Sequence, residues 1–210
     1  MIACDCDYYH TYQCDNNLIE KIKNNIYPRC DLYLRYTQFN EETFKIFCNA
    51  LSCNTLIENL HIDGIQIGYE YEDDPLSDHY YHFGLFHNDI ETFCDAIANN
   101  KTINTLIIEQ AFIDIDNAYK LKAMFKVNDS IKNLELIDID IEDTVDRILF
   151  DFLKYEVNLD KLLIKNVYIN ELNNCSNRWY RTNKSIEDYE YNKESGFIFE
   201  NGKYRLIENV

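Results

Sequence analysis

One spacing of apolar residues recurs five times in this chain and limits what it can fold into. In the clearest copy the apolar residues are Ile131, Leu134, Leu136, Ile139 and Ile141. This spacing fits neither the alternation of a plain strand nor the helical period of about 3.6 residues. The other copies are Arg29, Leu32, Leu34, Thr37 and Phe39; Ile57, Leu60, Ile62, Ile65 and Ile67; Ile103, Leu106, Ile108, Ala111 and Ile113; and Leu159, Leu162, Ile164, Val167 and Ile169. The chain is therefore predicted to be built from structural repeats.

The copies are 28 residues apart, except that 46 residues separate the second from the third, which leaves 18 extra residues in the second unit. Between copies, apolar residues return at helical spacing. These helix stripes are Phe44, Phe47 and Leu51; Ile90, Phe93 and Ile97; Ala118, Leu121 and Phe125; and Val145, Ile148, Leu149, Phe152 and Leu153. Each unit thus predicts a strand and a helix that face each other across one shared core.

The spacing resembles the leucine-rich repeat, L-x-x-L-x-L-x-x-N/C-x-L, and the period with a helix in each unit resembles the ribonuclease-inhibitor-like class. The resemblance covers residues 30–170 and implies an α/β solenoid, a short right-handed horseshoe of five repeats with a parallel sheet inside and helices outside. Where the family places Asn or Cys, this chain has Thr37, Ile65, Ala111, Ile139 and Val167. The side-chain ladder that hydrogen-bonds the turn backbone in that family is therefore predicted to be missing.

The chain divides into three parts. Residues 1–28 are predicted to form an N-terminal flap and a capping helix. The helix begins at Asp15 and runs through Ile26, and we expect it to cover the open edge of the first strand. Residues 29–172 hold the repeats with an inserted loop at 68–89, and residues 173–210 form a C-terminal cap. The Asn201-Gly202 pair predicts a hairpin in this cap, with Glu200 opposite Lys203 and Phe199 opposite Tyr204.

The residues between the inward-facing leucines and isoleucines of each strand should line the open face of the sheet. We predict partner-binding residues in two columns of this face: Tyr33, His61, Ile107, Glu135 and Leu163 in one, and Asp63, Glu109, Ile137 and Lys165 in the other. Ile107, Ile137 and Leu163 are large apolar residues on a face that the pattern exposes, and clustered exposed apolar surface marks contact sites. The alternative is that another segment of the chain covers them.

The inserted loop has six acidic residues and no Lys or Arg. We predict that its aromatic residues join the binding surface: Tyr69, Tyr71, Tyr80, Tyr81, Phe83 and Phe86. Metal sites are conceivable at His79, His82 and His87 and at Cys4, Cys6, His10 and Cys14. Neither set has the spacing of a known zinc motif, so we expect no metal and no other cofactor.

The formal charge is −17, which disfavours nucleic acids and anionic membranes as partners and favours a basic protein. Alternatively, the acidic residues only keep the protein soluble. No signal peptide and no membrane-spanning apolar run is apparent, so we expect a cytoplasmic protein, a monomer, whose eight cysteines stay reduced. Glycosylation sequons at Asn100, Asn128, Asn174 and Asn183 are expected by chance in so Asn-rich a chain.

No phosphate-binding loop, nucleophile elbow or other catalytic motif is present in the sequence. Together with the resemblance, this favours a non-catalytic protein-binding module, an inhibitor or adaptor. Two alternatives stay open: a hydrolase or transferase that uses the histidines and acids of the loop, and a zinc-stabilised regulatory protein. The residue usage, rich in Ile, Asn, Lys, Asp and Tyr, is typical of AT-rich genomes, such as those of large DNA viruses.

Overall fold

A computed structural model of the chain describes residues 12–67, 90–142, 145, 148–149, 152–153, 158–173, 178–186, 189–192, 197–200 and 203–206. Four helices have defined bounds: α1 Asn16–Lys23, α2 Glu41–Cys53, α3 Ile90–Asn99 and α4 Ile115–Val127. The fourth predicted helix stripe, at Val145, Ile148, Leu149, Phe152 and Leu153, is also helical. Helices therefore stand where the sequence predicts them.

Each predicted repeat begins with a pair of strands. The strands before the turns are β2 Asp31–Arg35, β4 Asn59–Asp63, β6 Thr105–Glu109, β8 Asn133–Ile137 and β10 Lys161–Lys165. The short strands after the turns are β3 Thr37–Phe39, β5 Gln66–Ile67, β7 Phe112–Ile113, β9 Asp140–Glu142 and β11 Val167–Asn173. A two-residue strand, β1 Tyr12–Gln13, precedes them.

The five strands before the turns lie side by side and parallel in the order β2, β4, β6, β8, β10, as predicted. Their register aligns equivalent positions of successive copies, so that Leu32 pairs with Leu60, Leu60 with Leu106, Leu106 with Leu134 and Leu134 with Leu162. The α/β fold with a five-stranded parallel sheet is thus confirmed. A one-residue slip would have turned the apolar residues to the other face, so the apolar pattern fixes this register.

A residue with positive φ separates the two strands of each pair. These residues are Tyr36, Gly64, Gln110, Asp138 and Asn166, one in each unit, with φ between 45° and 60°. Asn and Gly adopt this conformation at the least cost, and Asp more readily than most residues, whereas the ring of a Tyr makes it uncommon. The turn is therefore set by repeated backbone geometry, since its residue types differ from unit to unit.

The core lies between the parallel sheet and the helices. The inward strand residues and the predicted helix stripes, except the half-buried Ile148, are buried in one cluster, and Phe44, Phe47, Phe93 and Leu51 are fully buried. Neighbouring helices pack side by side from α1 to α4. Burial of each large apolar side chain contributes about 1.5–3 kcal/mol, so this continuous cluster is the main source of stability. Within the described residues, no helix is long and apolar enough to cross a membrane.

A ladder of asparagine side chains joins successive units, although the sequence predicts no such ladder. The predicted ladder column is apolar at Ile65, Ala111 and Ile139, which are buried. Buried asparagines stand instead where the described helices lead into the next strand, at Asn54, Asn100 and Asn128. Each amide nitrogen donates to a carbonyl of the preceding unit, and each amide oxygen accepts from the backbone of its own turn. This ladder lies outside the family's Asn/Cys column, to which the prediction of a missing ladder referred.

The first helix begins where predicted and ends earlier. The Asp15 side chain accepts a hydrogen bond from the Asn17 backbone N–H at 2.9 Å, as an N-cap does. α1 ends at Lys23 and not at Ile26, which is 65 % exposed. The helix packs against α2, and β1 pairs with β3, so α1 extends the helix layer. Among the described strands, β2 is the last one of its sheet.

The chain ends in further antiparallel strands: β12 Arg178–Ile186, β13 Tyr189–Asn192, β14 Phe197–Glu200 and β15 Lys203–Leu206. β12 pairs with β11, whereas β13 pairs with β10 and β14 with β13. β14 and β15 form the predicted hairpin, with Glu200 opposite Lys203 and Phe199 opposite Tyr204. The parallel sheet therefore continues into three antiparallel strands, so that the sheet has eight strands within the described residues.

Candidate functional site

The parallel sheet presents its second face away from the helices, and we call this the outer face. Its fifteen side chains form three rows across β2, β4, β6, β8 and β10: Asp31, Asn59, Thr105, Asn133 and Lys161; Tyr33, His61, Ile107, Glu135 and Leu163; and Arg35, Asp63, Glu109, Ile137 and Lys165. The structure thus brings all nine strand residues that the sequence predicts for partner binding onto one surface. The predicted loop residues Tyr69, Tyr71, Tyr80, Tyr81, Phe83 and Phe86 lie outside the described residues.

A cluster of polar and aromatic side chains occupies the outer face of β2 and β4. Arg35 Nε lies 3.1 Å from Asp63 Oδ2, and the Tyr33 hydroxyl donates a hydrogen bond of 3.2 Å to the same oxygen. The Tyr33 and His61 rings lie 4.3 Å apart, and the Arg35 guanidinium stands 5.1 Å from the centre of the Tyr36 ring. Asp63 is only 2 % exposed although it belongs to the outer face. The cluster is therefore ordered around a buried carboxylate.

Burial dominates the electrostatics of this cluster. Burial raises the pKa of Asp63, whereas the hydrogen bond from Tyr33 and the charge of Arg35 act in the opposite direction. Burial, and then the Asp63 charge, raise the pKa of the Tyr33 phenol to about 12. Arg35 and Tyr33 thus favour the ionised form of Asp63, whereas its low-polarity surroundings disfavour that form.

Two polar atoms of the cluster are not satisfied within the described part of the chain. Asp63 Oδ1 and His61 Nε2 are buried and have no hydrogen-bond partner there. His61 Nε2 stands 3.3 Å from Glu109 Oε2, a contact that becomes an ion pair only when His61 is protonated. A buried polar atom that stays without a partner costs about 1–3 kcal/mol.

The other end of the outer face carries three large apolar side chains among polar ones. Ile107 on β6 and Leu163 on β10 both stand opposite Glu135 of β8. Ile137 stands on β8 two residues beyond Glu135, so it is a diagonal neighbour of each. All three are half-buried, less exposed than the sequence pattern alone suggests. Beside them, Lys161 Nζ donates a hydrogen bond of 2.7 Å to Glu135 Oε1. We call these three residues the apolar patch.

The acids of the outer face largely stand beside basic side chains. Asp63 pairs with Arg35, Glu135 with Lys161, and Glu109 lies beside His61. Over the whole face, four carboxylates stand against three Lys or Arg side chains, whereas the chain carries −17. The negative charge of the protein therefore comes mainly from outside this face. Arg35 and Lys161 were not predicted as site residues, although both occupy outward columns of the same strands.

The metal alternatives find no support in the described residues. There, no group of three or more His, Cys, Asp or Glu side chains is arranged to hold a metal ion. Burial raises the pKa of the Cys14 thiol to about 12, which is unfavourable for a thiolate ligand. The remaining candidates lie outside the described residues: Cys4, Cys6, His10, His79, His82 and His87.

No protein-family model and no curated protein matches this chain. Among solved structures, the chain is similar to one titled "Leiomodin-1 Actin-Binding Site 2 (ABS2)". The two share 15 % sequence identity at a TM-score of 0.50, over 72 % of this chain and 78 % of that chain. At this identity the likeness concerns the fold alone.

Proposed function

We propose that the chain is a leucine-rich-repeat solenoid of the ribonuclease-inhibitor-like class and a non-catalytic protein-binding module, an inhibitor or adaptor. The repeated apolar spacing, the parallel strands and the fold likeness to the leiomodin structure support the first part. The apolar patch carries the second part. Ile107, Ile137 and Leu163 are diagonal neighbours on a face that no helix of the described chain covers, and clustered apolar side chains on such a face are typical of protein contacts.

The polar cluster suits the same role. Tyr and Arg dominate interface hot spots, because they offer large contact area and several hydrogen bonds. Tyr33 is 51 % exposed, and the Arg35 side chain is 60 % exposed while its Nε is fixed by Asp63. A side chain that is already ordered loses less entropy when a partner binds it. The outer face thus combines an apolar patch on β6, β8 and β10 with an ordered polar end on β2 and β4.

The partner that we propose is a basic cytosolic protein, bound by a monomer. Because the outer face is nearly neutral, we expect affinity to come from the apolar patch and the aromatic residues. The net charge of −17 would act at longer range and speed the approach of a basic protein. Charge reversal at Glu109 and Glu135 should therefore slow association mainly at low salt.

The experiment compares one variant in the patch with one on the opposite side of the molecule. Proteins captured from cytosol by the immobilised chain are identified by mass spectrometry, and binding of the purified candidate is then measured by calorimetry. Actin is included, because the similar solved structure is an actin-binding site. Ile137→Lys should weaken binding at least about tenfold. The control is Val127→Lys, at a position on α4 that is 62 % exposed, and it should bind like the wild type. Equal binding by both variants would contradict the proposal.

A further inference from the structure

The C-terminal hairpin continues the outer face, because its strands pair in register with the parallel sheet. β13 pairs with β10, β14 with β13 and β15 with β14. Residues that pair directly across a sheet belong to the same face. Two rows of the outer face therefore continue from β10 to β15: Leu163, Glu190, Phe199 and Tyr204; and Lys161, Asn192, Phe197 and Leu206.

The hairpin has its apolar side on the outer face, which is the reverse of the repeats. In β8 the inner face receives Leu134 and Leu136, and the outer face receives Glu135. In β14 and β15 the outer-face positions are aromatic or apolar, and the inner-face positions are mostly charged. The outer positions are Phe197, Phe199, Tyr204 and Leu206, which we call the hairpin patch, and the inner positions are Ile198, Glu200, Lys203 and Arg205. Because large apolar residues favour removal from water, this reversal indicates a contact on the outer face.

The middle row of the outer face alternates between large apolar and acidic residues from strand to strand. From β6 to β14 it reads Ile107, Glu135, Leu163, Glu190 and Phe199. Neighbouring strands lie about 4.8 Å apart, so this row is about 19 Å long. A helix that crosses the strands advances about 5.4 Å per turn and presents residues three or four apart on one face. One helical turn therefore falls on each strand, whereas an extended segment repeats its face only about every 6.8 Å.

The charges of this surface indicate the character of such a helix. Positions that meet Glu135 and Glu190 should be basic, and positions that meet the large residues between them should be apolar. The outer-face positions of the hairpin and β13 add one acidic residue and no basic one, and the chain as a whole carries −17. A second copy of the chain would bring the same net charge against this face, which is unfavourable. The complement is therefore a basic segment of another protein.

We propose that the outer face binds a basic amphipathic helix of the partner, laid across the strands from the apolar patch to the hairpin patch. The helix carries an apolar residue at every seventh position and Lys or Arg midway between them. Recognition of helices by apolar anchors at such intervals is a recurrent binding mode. The inference rests on the proposed function, because it names the kind of segment that the protein-binding module takes.

The test uses two synthetic peptides as probes of the whole chain, each of about 20 residues and therefore long enough to cover the row. The first peptide has Leu at every seventh position and Lys midway, on an Ala- and Gln-rich helix. The second has the same composition, with Leu and Lys scattered around the helix. Fluorescence anisotropy measures binding at physiological salt, where unspecific charge attraction is screened. We expect the first peptide to bind at least about tenfold more tightly than the second.

The orientation of the bound peptide is measured on the wild-type protein by NMR. A nitroxide at one end of the first peptide should broaden the amide signal of Ile107, and a nitroxide at the other end should broaden that of Phe199. A helix that lay along the strands would broaden amides of the same one or two strands from both ends. This measurement does not depend on the folding of any variant.

A variant then tests the hairpin patch itself. Phe199→Lys should weaken binding of the first peptide at least about tenfold. Val127→Lys adds the same charge at an exposed position of α4 and should bind like the wild type. The inference is overturned by equal affinities of the two peptides, by broadening confined to β6, β8 and β10, or by equal binding of the two variants. The proposed function is judged separately, because it fails only when Ile137→Lys binds the captured partner like the wild type.

Discussion

The side-chain amide of Asn100 donates a hydrogen bond of 3.1 Å to the backbone carbonyl of Asn54, at the equivalent position of the preceding unit. Asn128 repeats the arrangement and donates 2.9 Å to the carbonyl of Asn100. Thr102 and Ser130 add hydroxyl bonds to the same two carbonyls. The sequons at Asn100 and Asn128 thus reflect a structural ladder, since both the Asn and the hydroxyl residue have a bonding role.

Replacement of Asn100 by alanine should lower the free energy of unfolding by about 2–4 kcal/mol, because it leaves buried backbone groups without partners. Asn100 is fully buried and also accepts from the backbone N–H groups of Thr102 and Ile103. The measurement is urea unfolding followed by circular dichroism. Asn24→Ala is the control, because Asn24 bonds to Glu20 at an exposed helix end, and we expect a loss below about 1 kcal/mol. Equal losses would refute the ladder.

Gly64 should not tolerate a side chain. Its φ is +60°, and a Cβ atom there would stand 2.8 Å from Cδ1 of the Tyr36 ring, which reaches across to accept a bond from Gln110. Gly64→Ala should therefore destabilise the protein by about 2–4 kcal/mol, from strain and collision together. In a Tyr36→Ala background the collision disappears, and the same substitution should cost only about 1–2 kcal/mol. A cost that is the same in both backgrounds would show that Tyr36 is not responsible.

Much of the fold follows from the sequence because strand and helix periods are fixed by geometry. Alternation in Asn133–Ile137 is enough to turn Leu134 and Leu136 inward and Glu135 outward, as observed. The hairpin follows from Asn201-Gly202, because this pair suits the tight turn and sets the register. In both cases a short-range rule decides the outcome.

The side-chain contacts of the candidate site do not follow from these short-range rules, because each side chain can meet several neighbouring ones. Glu135 could meet several side chains on the adjacent strands, and its bond to Lys161 depends on rotamers that no period encodes. The burial of Asp63 likewise depends on Tyr33 and Arg35 folding over it. The asparagine ladder could have been predicted from the sequence, since Asn54, Asn100 and Asn128 recur at the offsets of the apolar repeat. It was missed because they lie outside the family's Asn/Cys column.

Cysteine reactivity should separate the described thiols into two groups. Cys30 and Cys53 are exposed. Burial raises the pKa of Cys14 and of Cys94 to about 12. At pH 8, alkylation of these two by iodoacetamide should be at least about a hundredfold slower than that of the exposed thiols, because the thiolate reacts. Peptide mass spectrometry over time measures this, and uniform rates would contradict the burial.

Asp63 should give the stability of the protein an unusual pH dependence. Its folded pKa is raised by burial above the value in the unfolded chain, so the protonated form is favoured on folding. Its contribution to stability is therefore fully present below the unfolded pKa and is lost as pH rises through the folded pKa. Asp63→Asn cannot ionise. The free energy of unfolding of the wild type should thus fall relative to this variant as pH rises above the unfolded carboxyl pKa of about 4.

Asp129 provides the control of opposite sign. The hydrogen bond and charge of Lys101 lower the pKa of this exposed carboxyl, so its contribution is present above the unfolded pKa and is lost as pH falls. Relative to Asp129→Asn, the wild type should gain stability as pH rises towards the unfolded carboxyl pKa, which is below the interval in which it loses stability relative to Asp63→Asn. Urea unfolding of the three proteins at several pH values measures both differences. Parallel curves for the wild type and Asp63→Asn would mean that Arg35 and Tyr33 fully offset the burial of Asp63.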